Sequence, residues 1–591
     1  MSIFNSVKIN RPKRSTFDLS HDVKLTTDFG RLTPISCIPV LPGDVIKMRS
    51  ESYIRLAPML APIMHRCNAY VHHFFIPSRL LWENFETFIT GGKNGNELPV
   101  YPRLLVDPKT LSQKGVANTS TLWDYLGYPT LTGSGVLTSS NEVVVDPLPF
   151  LAYYKIWQYY YSDQNLENYP IPDTWRFPDG VFDWDSMDFD DPIEGKRIMD
   201  ELFALRNRCW EKDYFTSALP FPQRGDDVKL PIHGMAPVVA NSSAFGNDKF
   251  VNSKGNAVTG TVLMDETGVF PNASGPNGFI YKQLEGSGSG TIRPGDNSMV
   301  GPGNKQGLSY DPNGRLQADL SNATETTVNE FRRAFSIQRF NEAKARIGWR
   351  FWEYLQGIWG VRNPDSRLQR PEYLGGGKAP VVIGEVLQTS QTTSGTDGSP
   401  LGDMAGRGVS SGNDNGFRRK FTEYGYVISI LSVIPRSAYS QGWPRIFNKF
   451  DPMDYGNPYF AHLGEQEVKN GELFFDFSKA HVVNNESGID YENGGPNGET
   501  FGYQSRYSEY KYIPSSFHGD FRSNMSYWHL GRLFKKSPAL NPDFVTVHED
   551  ETSRIFNVED ANGEPVDHLW IQIFNNIKAN RCLPYYGTPS L

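Results

Sequence analysis

The sequence predicts a mainly β protein, a β-sandwich carrying long helical and loop insertions. Three observations support this class. Aromatic residues make up 13% of the 591 positions, and 55 glycines and 41 prolines punctuate them, as in short strands between frequent turns. Two runs, 66–76 and 425–435, are apolar or aromatic on both faces, as expected of strands covered on two sides. Strand-like runs lie toward both ends of the chain, which suits a sandwich whose first and last strands come together. The jelly roll is one such design.

The elements follow in chain order. Residues 1–32 are polar and without a clear period, and Lys8, Arg11, Lys13 and Arg14 cluster around Pro12. This stretch is either an unpacked terminus or a basic arm that lies on phosphate. From Thr33 to Pro77 the chain reads as strands, with a Pro42-Gly43-Asp44 turn before a strand over Val45–Leu56. In the next strand Cys67, Ala69, Val71, His73 and Phe75 share one face, and Tyr70, His72, Phe74 and Ile76 the other. Ser78 is placed to cap a short helix carrying Leu81, Phe85 and Phe88 and stopping at Gly91-Gly92. A second helix follows Pro147, and its density of Tyr and Trp favours packing over base stacking.

The stretch 234–322 changes character. It is rich in Gly, Asn and Ser, with strand-like spacing around Val262, Leu263 and 279–281, and reads as an inserted surface excursion rather than a linker. A long helix then begins at a Thr327–Glu330 capping box, with Val328, Phe331 and Phe335 on one face, and is expected to stop near Gly360. Arg332, Arg333, Arg339, Lys344 and Arg346 crowd its other faces. The segment from Ser366 to Gly377 ends in three glycines and is expected as a loop that lies against a neighbouring subunit. Val381–Thr389 reads as a strand, followed by a flexible loop through Gly416. The run GYVISILSVIP at 425–435 is the strongest strand, and IQIFNNIKANRCL at 571–583 the last.

Composition excludes several function classes. A net charge of −8 rules out a wholly basic nucleic-acid glove, so any such contact must be local. Four cysteines do not make a disulfide framework in a chain this long, which favours a reducing compartment. No apolar run reaches the ~18 residues of a membrane span, and the first residues lack the apolar core of a secretory signal. His65, Cys67, His72 and His73 are close in sequence, but His72 and His73 point to opposite faces, so a structural pair is expected rather than a metal site. The acidic run FDWDSMDFDD lacks the Gly and terminal Glu of a calcium loop. Residues 408–412 match G-x-S-x-G, yet they sit in low complexity and not between a strand and a helix. With no phosphate loop, no H-E-x-x-H and no paired C-x-x-C, no catalytic residue, cofactor or metal is expected.

Several segments together resemble the major capsid protein of the microvirus family, single-stranded-DNA phages, and most closely its gokushovirus-like branch. They are PGD at 42–44, DQNL at 163–166, DYFTSALPFPQRG at 213–225, RLQRPEYLGGG at 367–377 and SPLGDMAGRG at 399–408. KFTEYGYVISILSV at 420–433, HLGEQEV at 462–468 and FGYQSRYSEYKYIPSSFHGDFR at 501–522 complete the set, in the family's order. The resemblance implies an eight-stranded antiparallel jelly-roll sandwich with long helical and loop insertions, assembled as a T=1 icosahedral shell around a circular single-stranded DNA genome. It implies no enzyme. It implies as partners further copies of itself, the genome, the phage minor capsid or pilot and small DNA-binding proteins, and the host cell surface. The expected location is the virion, with assembly in the host cytoplasm.

The expected division is a basic arm at 1–32, a first part of the core at 33–233, a surface protrusion at 234–322 and the rest of the core at 323–591. Candidate nucleic-acid contacts are Lys8, Arg11, Lys13 and Arg14 of the arm, with Arg332 and Arg333 of the long helix. The competing reading is a β-sandwich carbohydrate-binding protein or a glycosidase, which would need two carboxylates across an aromatic cleft. No pair stands out.

Overall fold

The computed structural model describes residues 14–586 apart from 94–95, 132–142, 184–191, 226–237, 241–259, 263–289, 293–315, 319–327, 348–368, 388, 390–403, 415, 480–482, 486–487, 491–494, 557 and 559–565. By their contacts the residues fall into two units, Gly225–Phe340 and the remainder. In the larger unit the strands are β1 (Ser15–Asp18), β2 (His21–Thr27), β3 (Thr33–Val40), β4 (Val45–Leu56) and β5 (Cys67–Pro77). After the smaller unit come β6 (Glu372–Leu387), β7 (Met404–Asn413), β8 (Phe417–Lys420), β9 (Gly425–Pro435) and β10 (Leu569–Arg581).

These ten strands form one antiparallel sheet in the order β1-β10-β4-β7-β6-β5-β9-β3, with β2 beside β10 and β8 beside β4. The strand β6 makes the fold curl. Its first part, through Val381, pairs with β5, and its last part, from Val382, pairs with β7. If β1 and β2 share one position, and β7 and β8 another, eight positions remain. Numbered along the chain they run 1-8-3-6 in one half and 2-7-4-5 in the other, the strand order of a jelly roll. The first and last strands pair directly, Ser15 opposite Arg581.

Period-two patterning explains the strands. Along β4 every second residue from Ile46 to Leu56 is buried and those between are exposed. The two halves enclose an interior in two apolar clusters. One holds Ile35, Ile54, Val71, Leu431 and Ile573; the other holds Ile38, Met48, Phe75, Val427 and Ile577. The outer face of β5 and β9 is covered as well. Phe74, Ile76, Ile428 and Ile430 pack into a third cluster, built by the insertion after β5. That insertion contains α1 (Phe85–Thr90), α2 (Leu148–Tyr160) and α3 (Pro192–Phe203). In α2, Phe150, Tyr153, Tyr154 and Trp157 are buried, so its aromatics serve packing.

Several expectations are corrected. Ser78 opens a 3-10 turn, while Asn84 precedes α1, which ends on Gly91 at φ 75°. The glycines 375–377, expected in a loop, lie within β6 opposite His73, His72 and Val71. Glycine is required there because a Cβ on Gly376 would sit 2.3 Å from the Val71 carbonyl oxygen. Part of the expected flexible loop before Gly416 is β7, held between β4 and β6. The last part of the polar stretch 1–32 forms β1 and β2. The long helix, α4 (Val328–Ile347), is present; Thr327 and its expected stop at Gly360 lie outside the described residues. The carboxylates 184–191 also lie outside them.

In the smaller unit Gly260–Val262 pairs in parallel with Gly290–Ile292, and Val238–Ala240 antiparallel with Leu316–Ala318.

Two stability measurements test this packing. Ile430 is 1% exposed on β9, so Ile430→Asp should cost at least about 3 kcal/mol, seen as lost yield or a lowered unfolding midpoint. Lys155 of α2 is buried, with Nζ donating to the Asp173 carbonyl at 2.9 Å, and burial, with Arg176 nearby, pushes its ammonium down to about 7. The folded value lies below the unfolded ~10.4, so the native state binds fewer protons, and stability falls as pH drops from about 10 to about 7. Lys155→Met should therefore raise the thermal midpoint, and more at pH 6 than at pH 9.

Candidate functional site

The residues expected to meet nucleic acid are placed unevenly. Lys8, Arg11 and Lys13 lie outside the described residues. Arg14 is exposed, and its guanidinium donates to Asn580 Oδ1 of β10 at 3.4 Å. In the smaller unit Arg332 and Arg333 are both exposed on α4. The apolar residues of that helix are also largely in solvent. Phe331 and Phe335 stack at 6.2 Å, and both are exposed; only Ala334 of that turn is buried.

A second surface was not legible as a site. Between Trp443 and Leu463 the larger unit exposes a run of large apolar side chains, joined by Phe477, Tyr510 and Ile513. Phe447, Phe450, Tyr459, Phe477 and Ile513 are 69–88% exposed. Their backbone is nevertheless pinned. Asp451 and Asp454 form a reciprocal capping box, the Asp451 carboxylate accepting from Met453 N at 2.7 Å. Arg445 donates to the Glu467 carbonyl at 2.6 Å. Lys449 Nζ lies 3.5 Å from the centroid of the Tyr510 ring.

Beside these residues opens an apolar notch of about 330 Å³, lined by Tyr214, Phe215, Tyr439, Ile446, Tyr512 and Ile513. Glu472 also lines it, accepting the Tyr214 hydroxyl at 2.9 Å beside Arg445, and burial pushes its carboxyl above the usual range. An ordered backbone that presents apolar side chains to water suits a protein interface, since the geometry is already set before a partner arrives. The signal was the aromatic density of WPRIFNKFDPMDYGNPYF, which has neither strand nor helix period.

One arrangement has the residue types of a catalytic triad. His73 is hydrogen-bonded to Ser429 Oγ at 2.8 Å and to the Asp414 carboxylate. All three are buried between the two halves of the sandwich, which keeps them from any substrate. His72, on the other face of β5, bonds the Tyr161 hydroxyl at 2.8 Å. The histidine pair is therefore tied into structure.

Comparison with known proteins agrees with this picture of a scaffold with sticky surfaces. A family model described as capsid protein (F protein) matches residues 5–591. The chain is 32% identical over 630 residues to capsid protein VP1 of Chlamydia phage 1, covering 100% of this chain and 97% of that protein. It is 33% identical over 538 residues to capsid protein VP1 of Bdellovibrio phage phiMH2K, covering 90% and 87%. With capsid protein VP1 of Spiroplasma virus 4 it shares 28% identity over 605 residues, covering 100% and 97%. A jelly-roll sandwich whose large apolar side chains are held out to solvent, matched end to end by phage shell proteins, is a structural protein and not an enzyme: the chain belongs to the microvirus-type capsid F protein family.

Proposed function

We propose that copies of this chain close into a T=1 icosahedral shell around a circular single-stranded DNA genome. The observation that carries the reading is the ordered apolar surface of 443–463 with Phe477 and Ile513, which a single copy leaves in water. Closed symmetric assemblies bury such patches against matching ones. The exposed stack of Phe331 and Phe335 supports a further contact.

Within the shell, Lys8, Arg11, Lys13 and Arg14 follow phosphates, and Arg332 and Arg333 assist. The excursion 234–322 forms a surface protrusion that meets the host cell. Minor capsid or pilot proteins and small DNA-binding proteins complete the particle, which assembles in the host cytoplasm.

Negative-stain microscopy and sedimentation of the expressed chain test the shell. Particles of megadalton mass are expected, and a small oligomer would contradict it. Phe447→Asp with Phe450→Asp should reduce the assembled fraction at least tenfold while leaving the monomer's unfolding free energy within about 1 kcal/mol of the parent, since both side chains are exposed. Changing Lys8, Arg11, Lys13 and Arg14 together to Ala should lower the DNA content per particle; unchanged content removes the arm from the DNA contacts. Replacing 240–318 by a short Gly-Ser linker should leave folded protein, because closing a surface loop costs little. Aggregation under conditions where the parent stays in solution would assign that stretch to the core.

A further inference from the structure

The two outer faces of the sandwich are treated differently. The face of β5 and β9 lies under α2 and the rest of that insertion. Among the described residues nothing covers the outer face of β2, β10, β4 and β8, and it is not an ordinary polar face. From Trp570 to Lys578 every second residue of β10 is exposed, as is every second residue of β4 from Lys47 to Arg55. The register sets Trp570 opposite Arg55, Gln572 opposite Tyr53, Asn576 opposite Arg49 and Lys578 opposite Lys47. On the flanks Lys24 faces Gln572, and Arg418 faces Lys47. With Lys420, opposite Val45, seven exposed cations share the face with three carboxylates, Asp18, Asp22 and Glu51, the last two facing Phe574, on a chain whose net charge is −8.

Three aromatic rings lie among these charges. Tyr53, Trp570 and Phe574 are 37–41% exposed. Because Tyr53 faces Gln572, it is diagonal to both Trp570 and Phe574, at the roughly 7–8 Å spacing of such neighbours. Arg55 donates to the Tyr53 hydroxyl at 3.2 Å and so holds that ring's position. At the Trp570 end a cleft of about 910 Å³ opens, with Lys24, Arg55, Tyr125 and Trp570 on its walls. That volume is in the range of sites for small ligands. At the opposite end Arg14, the last residue of the basic cluster, donates to Asn580.

We infer that this open sheet face is a platform for single-stranded DNA, with bases stacked on Trp570, Phe574 and Tyr53 and phosphates held by Lys24, Arg55, Lys47 and Lys578. The inference rests on the reading that the shell encloses such a genome, and it names a surface that reading does not use. Charge complementarity chooses the occupant. A partner that buried this face with apolar side chains would leave seven cations desolvated. A duplex would satisfy the cations but leave the rings idle, since its bases are already stacked. Unpaired bases stack on any aromatic face, so the platform is blind to sequence.

The test measures anisotropy of labelled oligo(dT) and of a duplex of equal length with the purified full chain, across a salt series. The parent should prefer the single strand. Trp570→Ala and Phe574→Ala should each weaken oligo(dT) binding about tenfold and leave duplex binding unchanged. Trp570→Phe, which keeps a ring, should restore most of the affinity and separates stacking from any loss of fold. Lys24→Gln with Lys578→Gln should lower the salt slope by about 0.7 per charge removed.

Equal binding of single strand and duplex, or full affinity in both alanine variants, overturns the platform. In particles the two readings come apart. If Trp570→Ala with Phe574→Ala packages DNA with unchanged density along this face, the platform fails and the shell reading stands. If particles of the parent contain no DNA, the reading beneath it fails.

Discussion

A line of buried polar groups holds the two halves of the sandwich to one another. Asn575 of β10 donates to the Ile35 carbonyl of β3 at 3.3 Å and accepts from Ser50 Oγ of β4 at 2.7 Å. The Ser50 amide donates to Asp414, just beyond β7, at 2.9 Å, and Asp414 is bonded to His73 of β5, which meets Ser429 of β9. Residues on either side of this line are apolar, which is why the interior divides into two clusters. An unpaired buried polar group costs a few kcal/mol, so sliding either half by one residue would break the line as well as the packing. The network therefore specifies one register between strands far apart in the chain.

With that interior closed, the long insertions are free to work outside it. The insertion after β5 is used up in covering one outer face, and its Trp82, Phe150 and Tyr153 are buried there. The opposite face keeps its charges and rings in solvent. The asymmetry gives the protein two sides of different chemistry.

The ordered apolar loops are suited to contacts between copies. Apolar side chains in water gain nothing for the lone copy, yet the backbone beneath them is fixed by the Asp451–Asp454 capping box and by Arg445. Pinning the loop in advance removes part of the ordering cost that association would otherwise carry. The notch beside Ile513 offers a cavity for an aromatic or aliphatic side chain, the usual form of an interface anchor.

Alternation located Val45–Leu56 and an unbroken apolar run located Gly425–Pro435, both at their observed bounds, and period two sorted the faces of 66–76, because each side chain in those runs reports its own surroundings. The strands that pair with the outer edge of the last one, β1 and β2, lay in a stretch without a period, so that pairing was not legible. Alternation was silent for Gly375–Gly377 and for GRGVSSG, since glycine adds no side chain to a period. Those segments are strands because neighbouring strands offer them backbone partners, with Gly376 too near the Val71 carbonyl of β5 and Gly412 too near Ala379 of β6 for a Cβ. The candidate surfaces divide in the same way. Basic clusters such as Lys8–Arg14 are visible as composition. The triangle of Tyr53, Trp570 and Phe574 joins residues more than 500 positions apart, and the exposed Phe447 and Phe450 read in the sequence like any core aromatics. Which apolar residues stay in water was decided by the tertiary structure, because burial depends on what the rest of the chain has already covered.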